Sequence, residues 1–108
     1  PVGQICANGI YFLLNGERNK SYCTDATTKR TFHGDQWVTL EIDVNNGVFK
    51  HIVNGEEILK YENPRYDPKH EIAKTFIVAG EDKVKDGYIS LQSNSHPIDF
   101  RKIEIMEY

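Results

Sequence analysis

The sequence predicts an all-β fold, a sandwich or barrel of short antiparallel strands. Apolar and polar residues alternate strictly over 37–44, Asn-Gly turn signals follow at short intervals, and no segment sustains a 3.6-residue period. About six or seven strands are expected from this pattern.

The elements follow in order. Gly9–Leu14 is apolar enough for a strand, whereas 17–30 is polar and shows no clear pattern. In 37–44, Val38, Leu40, Ile42 and Val44 share one face, expected to be buried. Trp37, Thr39, Glu41 and Asp43 share the other. Asn45-Asn46-Gly47 tolerates positive φ and should turn the chain into a strand over Val48–Val53. Asn54-Gly55 should turn it again into Glu57–Tyr61, so 37–62 is expected to be a three-stranded antiparallel meander. Pro64 and Pro68 mark 63–71 as a loop, because each proline removes a donor and restricts its predecessor. Residues 72–79 suggest a short strand with Ile72, Phe76, Ile77 and Val78. After a charged turn at Glu81–Gly87, Tyr88–Gln92 is expected as a strand with Ile89 and Leu91 inward. Ser93–Pro97 is a polar loop, and 98–106 is the expected last strand, anchored by Phe100, Ile103 and Ile105. Phe100 and Ile103 are out of step, which predicts a bulge near Arg101.

At 108 residues the chain supports a single domain with a modest core. A net charge of −3 argues against a nucleic-acid binder, which would carry a clustered basic surface. No apolar run approaches the ~20 residues that a membrane-spanning helix needs, so no membrane insertion is expected. The chain starts at Pro1 and reads as a mature or trimmed product, so it carries no information on an export signal. Cys6 and Cys23 are too few for a zinc site of the usual kind. They suit either a disulfide, contributing about 3 kcal/mol on the chain-entropy model, or two free buried thiols. No cofactor is expected.

Three blocks carry a resemblance. They are Phe32-His33-Gly34-Asp35-Gln36-Trp37-Val38-Thr39, then His51-Ile52-Val53-Asn54-Gly55-Glu56, then Gly87 to Ile105 with Leu91-Gln92-Ser93-Asn94-Ser95-His96-Pro97 inside it. In order and spacing they resemble the 3-keto-disaccharide hydrolase domain family. The resemblance implies a concanavalin A-like jelly-roll sandwich and a periplasmic or secreted bacterial protein acting in glycoside breakdown. It also implies that residues 1–108 are the C-terminal part of a longer domain, with the first strands before Pro1. The Cys6 and Cys23 region looks like a two-cysteine insertion seen in some members. On export, the even cysteine count predicts that the two are paired.

The candidate site residues each have a plain alternative. His33 and Asp35 flank Gly34 before a strand; they suit a general base oriented by a carboxylate, or simply turn chemistry. Gln92 points away from the expected core and can exchange hydrogen bonds with sugar hydroxyls, and His96 is held beside Pro97. The resemblance favours a functional role for both over a solvated loop. Trp37 and Tyr88 lie on polar strand faces and could stack on sugar rings, or form an interface. Arg101 could clamp a hydroxyl or carboxylate through its fork, or hold a turn. Glu41 and Asp43 lie about 7 Å apart on one strand face. A glycosidase uses such pairs, although exposed alternating acids usually only solubilise. His51 is expected to line the sheet.

Three functions fit: a hydrolase or lyase acting on glycosides or 3-keto-glycosides, a non-catalytic carbohydrate-binding module, and an assembly fragment. In the first, a ketone at C3 acidifies the C2 proton, so one base can drive loss of the C1 substituent. His33, Trp37, Gln92 and His96 are expected to converge on one concavity. The partners expected are a carbohydrate and either a second copy or another chain segment completing the sandwich.

Overall fold

A computed structural model describes residues 2–27, 31–91 and 97–108. The fold is all-β and antiparallel. In chain order its strands are β1 (Ile5–Cys6), β2 (Ile10–Leu14), β3 (Glu17–Arg18), β4 (Cys23–Thr24), β5 (Leu40–Asn45), β6 (Val48–Val53) and β7 (Glu56–Tyr66). A 3-10 turn at Ala73–Phe76 follows. The main sheet has the order β3-β2-β7-β6-β5, and β1 pairs with β4 in a second, two-stranded sheet.

The meander over β5, β6 and β7 forms as expected. Asn46 and Gly47 both take positive φ, 51° and 77°, so a two-residue turn closes the β5–β6 hairpin with a twist that suits the strands. Asn54 extends that hairpin by accepting from Thr39 N and donating to Thr39 O, both at 2.9 Å. In β7 one extra residue is inserted, because His51 pairs with Leu59 while Ile52 pairs with Glu57. This bulge turns both Ile58 and Leu59 inward.

The inner face of the main sheet carries the core. Phe12, Leu59 and Tyr61 form one cluster, against which Ile5, Ala7, Leu14 and Phe49 pack. Ala26, Val53 and Ile58 form a second, with Val2, Phe32 and Val38 against it. Ile5 of the small sheet and Ala26 just after it thus cover the main sheet, which makes the arrangement a two-layer sandwich. His51 is buried with them; its ring bonds the Gly3 carbonyl at 2.8 Å and the Tyr61 hydroxyl at 3.0 Å.

Several expectations need correction. Leu40 and Ile42 do lie on the inner face, opposite Val53 and His51, but they are 54% and 57% exposed. β5 is the outermost strand of the sheet, and the covering layer ends over β6 and β7. The expected loop at 63–71 begins four residues too early, since β7 continues to Tyr66. Pro64 is tolerated there because Asn63 breaks the ladder at φ 50° and the Pro64 carbonyl still accepts from Val84 N. The expected strand over 72–79 is instead the 3-10 turn. The strands expected at 88–92 and 98–106 do not form where the chain is described; Ile89, Leu91, Phe100, Ile103 and Ile105 are exposed. Their alternation suits a strand, but no described ladder takes them in. The irregularity expected at Arg101 is a turn of the backbone at Lys102, φ 51°, rather than a ladder bulge.

Candidate functional site

The polar phase of β5, β6 and β7 faces outward, and the register fixes who meets whom. Asp43 lies opposite Lys50, and Lys50 lies opposite Lys60, so the three form a row across three strands. Beside the row is a groove of about 320 Å³, lined by Asp43, Asn45, Asn46, Val48, Lys50 and Lys60. The turn holding Asn46 is pinned to β7: Asn63 N donates to Gly47 O at 2.8 Å, and a Cβ at Gly47 would sit 2.7 Å from Asn63 Oδ1. A side chain there would be strained at φ 77° and would push the Asn63 amide aside.

Like charges directly opposite on a sheet repel. Here Lys50 reaches Glu57 at 3.7 Å and Lys60 reaches Glu62 at 4.0 Å. With Asp43 in the same row, three carboxylates accompany two ammonium groups. This balance suits an uncharged polyol better than an anion. The carboxylate accepts from hydroxyls, the lysines donate, and the two asparagine amides do both. The Tyr108 hydroxyl donates to Asp43. That hydrogen bond, with desolvation and the charges of Asp43 and Glu41, holds the Tyr108 phenol above its ordinary range.

A second hollow, about 220 Å³, is lined by Tyr66, Phe76, Val78, Glu81, Lys83, Lys85 and Asp86. Tyr66 and Phe76 stack there with centroids 5.4 Å apart, and Phe76 is exposed. The wall is tied down by Arg65 Nη1, which donates to Asp82 Oδ1 at 2.5 Å. Among the described residues no group of three or more His, Cys, Asp or Glu is placed to hold a metal ion.

The residues singled out from the sequence are spread unevenly. His33 and Asp35 sit in an exposed bend before β5, where the Gln36 amide donates to the His33 carbonyl at 2.7 Å. Trp37 and Arg101 are brought together, the guanidinium lying 4.2 Å over the ring. Tyr88 is fully exposed. Gln92 and His96 lie outside the described residues. Cys6 and Cys23 are joined by a disulfide across β1 and β4, where they are direct partners. Of the acidic pair, Glu41 stands on the open face and Asp43 lines the groove. Asn45, Asn46, Lys50 and Lys60 were not singled out. Counting outward from Asn46-Gly47 pairs Asp43 with Lys50, so that half of the row was available from the turn.

Fold and groove together define an all-β protein with a polar groove on an open sheet face. The family model of the 3-keto-alpha-glucoside-1,2-lyase-like domain matches residues 1–106, and the chain belongs to that family. This membership points to a carbohydrate-active role. No curated protein and no solved structure matches the chain.

Proposed function

We propose that the chain binds a neutral 3-keto-glycoside in the groove on β5–β7 and promotes its breakdown by elimination. The observation that carries this is the row Asp43–Lys50–Lys60 at the groove, a base beside two cations. Asp43 takes the proton from C2, and the C2–H electrons form the C2–C3 double bond of an enolate as the C3 carbonyl pair moves onto oxygen. That pair then returns to re-form the ketone, and the C2–C3 electrons shift to form the C1–C2 double bond. The C1 substituent leaves with its bonding pair and takes a proton from water. Lys50 and Lys60 steady the negative charge that builds on the C3 ketone oxygen. Addition of water to the product then makes the overall change a hydrolysis. His33 and Asp35 before β5, with His96, are proposed as further acid–base groups, and Trp37, Tyr88, Gln92 and Arg101 as sugar contacts.

The test is turnover of methyl 3-keto-α-glucoside. Asp43→Asn keeps the shape and removes the base, and should cut the rate by about 10²-fold or more. Undiminished turnover would end the assignment. The same assay on His33→Ala and His96→Ala decides their proposed roles.

One observation favours a second reading, a carbohydrate-binding module without catalysis: the exposed Phe76 ring, stacked on half-buried Tyr66 beside a polar rim, is a platform for a sugar ring. Glycan binding that is lost in Phe76→Ala, with no turnover by the native chain, would select it.

We also propose that the protein is exported to the periplasm or secreted, a reading that the Cys6–Cys23 bond supports. Completion of the sandwich by a second copy or by another segment of a longer jelly roll is proposed as well. The uncovered residues Leu40, Ile42 and Val44 on the inner face of β5 support it.

A further inference from the structure

Residues 101–108 join no ladder and touch the edge strand β5 and its lead-in at two points. At one end Arg101 stacks over Trp37, just before β5; at the other Tyr108 bonds Asp43 within β5. The contacts occur in the same order on both segments, so the two run in the same direction. The separations agree as well. The six residue steps from Trp37 to Asp43 span about 20 Å, and seven extended steps from Arg101 to Tyr108 reach about 24 Å, shortened here by the turn at Lys102.

The segment has few ties to the rest of the protein. Its apolar side chains Ile103, Ile105 and Met106 are exposed, and it forms no ladder. Exposed contacts of these two kinds, a cation over a ring and a hydroxyl on a carboxylate, are each weak. The segment is therefore a strap held at two points and easily lifted. Its far end falls on the carboxylate that lines the groove, and a phenol hydroxyl meets that carboxylate as a sugar hydroxyl would.

We propose that residues 101–108 form a latch in which Tyr108 occupies Asp43 in the empty protein and is displaced when a sugar hydroxyl takes its place. This rests on the groove being the sugar site. Tyr108 thereby competes with ligand and tunes its affinity, and Arg101 sets how far the strap can swing.

Trp37 is the chain's single tryptophan, so its fluorescence reports whether Arg101 is stacked on it. The probe is methyl 3-keto-α-glucoside. Tyr108→Phe should move the emission of the free chain toward that of Arg101→Ala. It should also tighten probe binding about two- to fivefold, the weight of one exposed hydrogen bond. Probe should shift native Trp37 emission in the same direction, and should shift Tyr108→Phe much less. Native emission in Tyr108→Phe, or probe binding that depends on Asp43 yet leaves Trp37 emission unchanged, overturns the latch. If the probe does not bind at all, the sugar reading of the groove fails, and the free-chain comparison of Tyr108→Phe with the native protein still decides the latch.

Discussion

Gly3 shows how closely one position can be specified. Its φ is 95°, which a side chain disfavours, and a Cβ there would lie 2.0 Å from Ile58 Cδ1. Its carbonyl also receives the His51 ring, so a shift to relieve the clash would break a buried hydrogen bond. Gly3→Ala should lower unfolding stability by about 2 kcal/mol or more in urea titration. The partner of His51 on the other side is Tyr61, whose phenol is pushed up to about 12 by burial. Its neutral form is thus favoured by folding. The associated stability is complete below pH 10, the ordinary phenol value, and is lost as pH rises through about 12. Tyr61→Phe should remove that alkaline loss while costing about 1–3 kcal/mol at neutral pH, because one nitrogen of His51 is left without a partner. His51 could be assigned to the sheet from its phase, opposite Ile52. Gly3 could not be singled out, because its constraint comes from Ile58 and His51, about fifty residues away in the chain.

At the scale of elements, the turns carried most of the legible information. Asn46-Gly47 and Asn54-Gly55 mark both hairpins of the meander, and the strand limits of β6 follow from them. The bulge at Ile58 did not show in the pattern. Counting from Asn54-Gly55 alone would set Lys50 against Leu59, whereas the inserted residue sets it against Lys60 and so completes the groove row. Alternation likewise names the faces of β5 but cannot say whether a second layer covers them. That is why Leu40 and Ile42 share the core's side of the sheet without sharing its burial. The energetic contrast is measurable. Phe12→Ala, in the middle of the core, should cost about 3–5 kcal/mol. Leu40→Thr and Ile42→Thr should each cost less than about 1 kcal/mol in the chain as it stands, since each side chain is already half in water. Costs near the Phe12 value at those two positions would mean that β5 is covered in solution.

For the whole molecule, the fold class was readable from period and turns, and the family from the order of three sequence blocks. The site was readable only in part. His33, Asp35 and Trp37 cluster in sequence before β5, but the groove draws on β5, β6, β7 and one turn, which no single motif contains. Asp43 was visible as one of two exposed acids; its distinction from Glu41 comes from the register that gives it Lys50 as a neighbour.

The disulfide has a consequence for how firmly the molecule is closed. Cys6 and Cys23 are cross-strand partners in a sheet of only two residues per strand, too short to hold by its own ladder. That sheet lies over the first core cluster through Ile5, and the chain on either side of it supplies Gly3 to His51 and Ala26 to the second cluster. The disulfide is therefore expected to hold this cover on the main sheet. A reduced chain can keep the whole main sheet, β2 and β3 included, while residues 2–7 and 22–27 remain loosely attached. Hydrogen exchange under reducing conditions should show rapid exchange in 2–7 and 22–27 and reduced protection on the covered stretch of β6, while β2 and β7, paired with each other, stay protected. Reoxidation should restore both at once. Equal protection with and without the bond would show that the layer holds unaided. Under reducing conditions the protein would keep its main sheet and hold its cover loosely, so the redox state of one bond would set how tightly the second layer is closed.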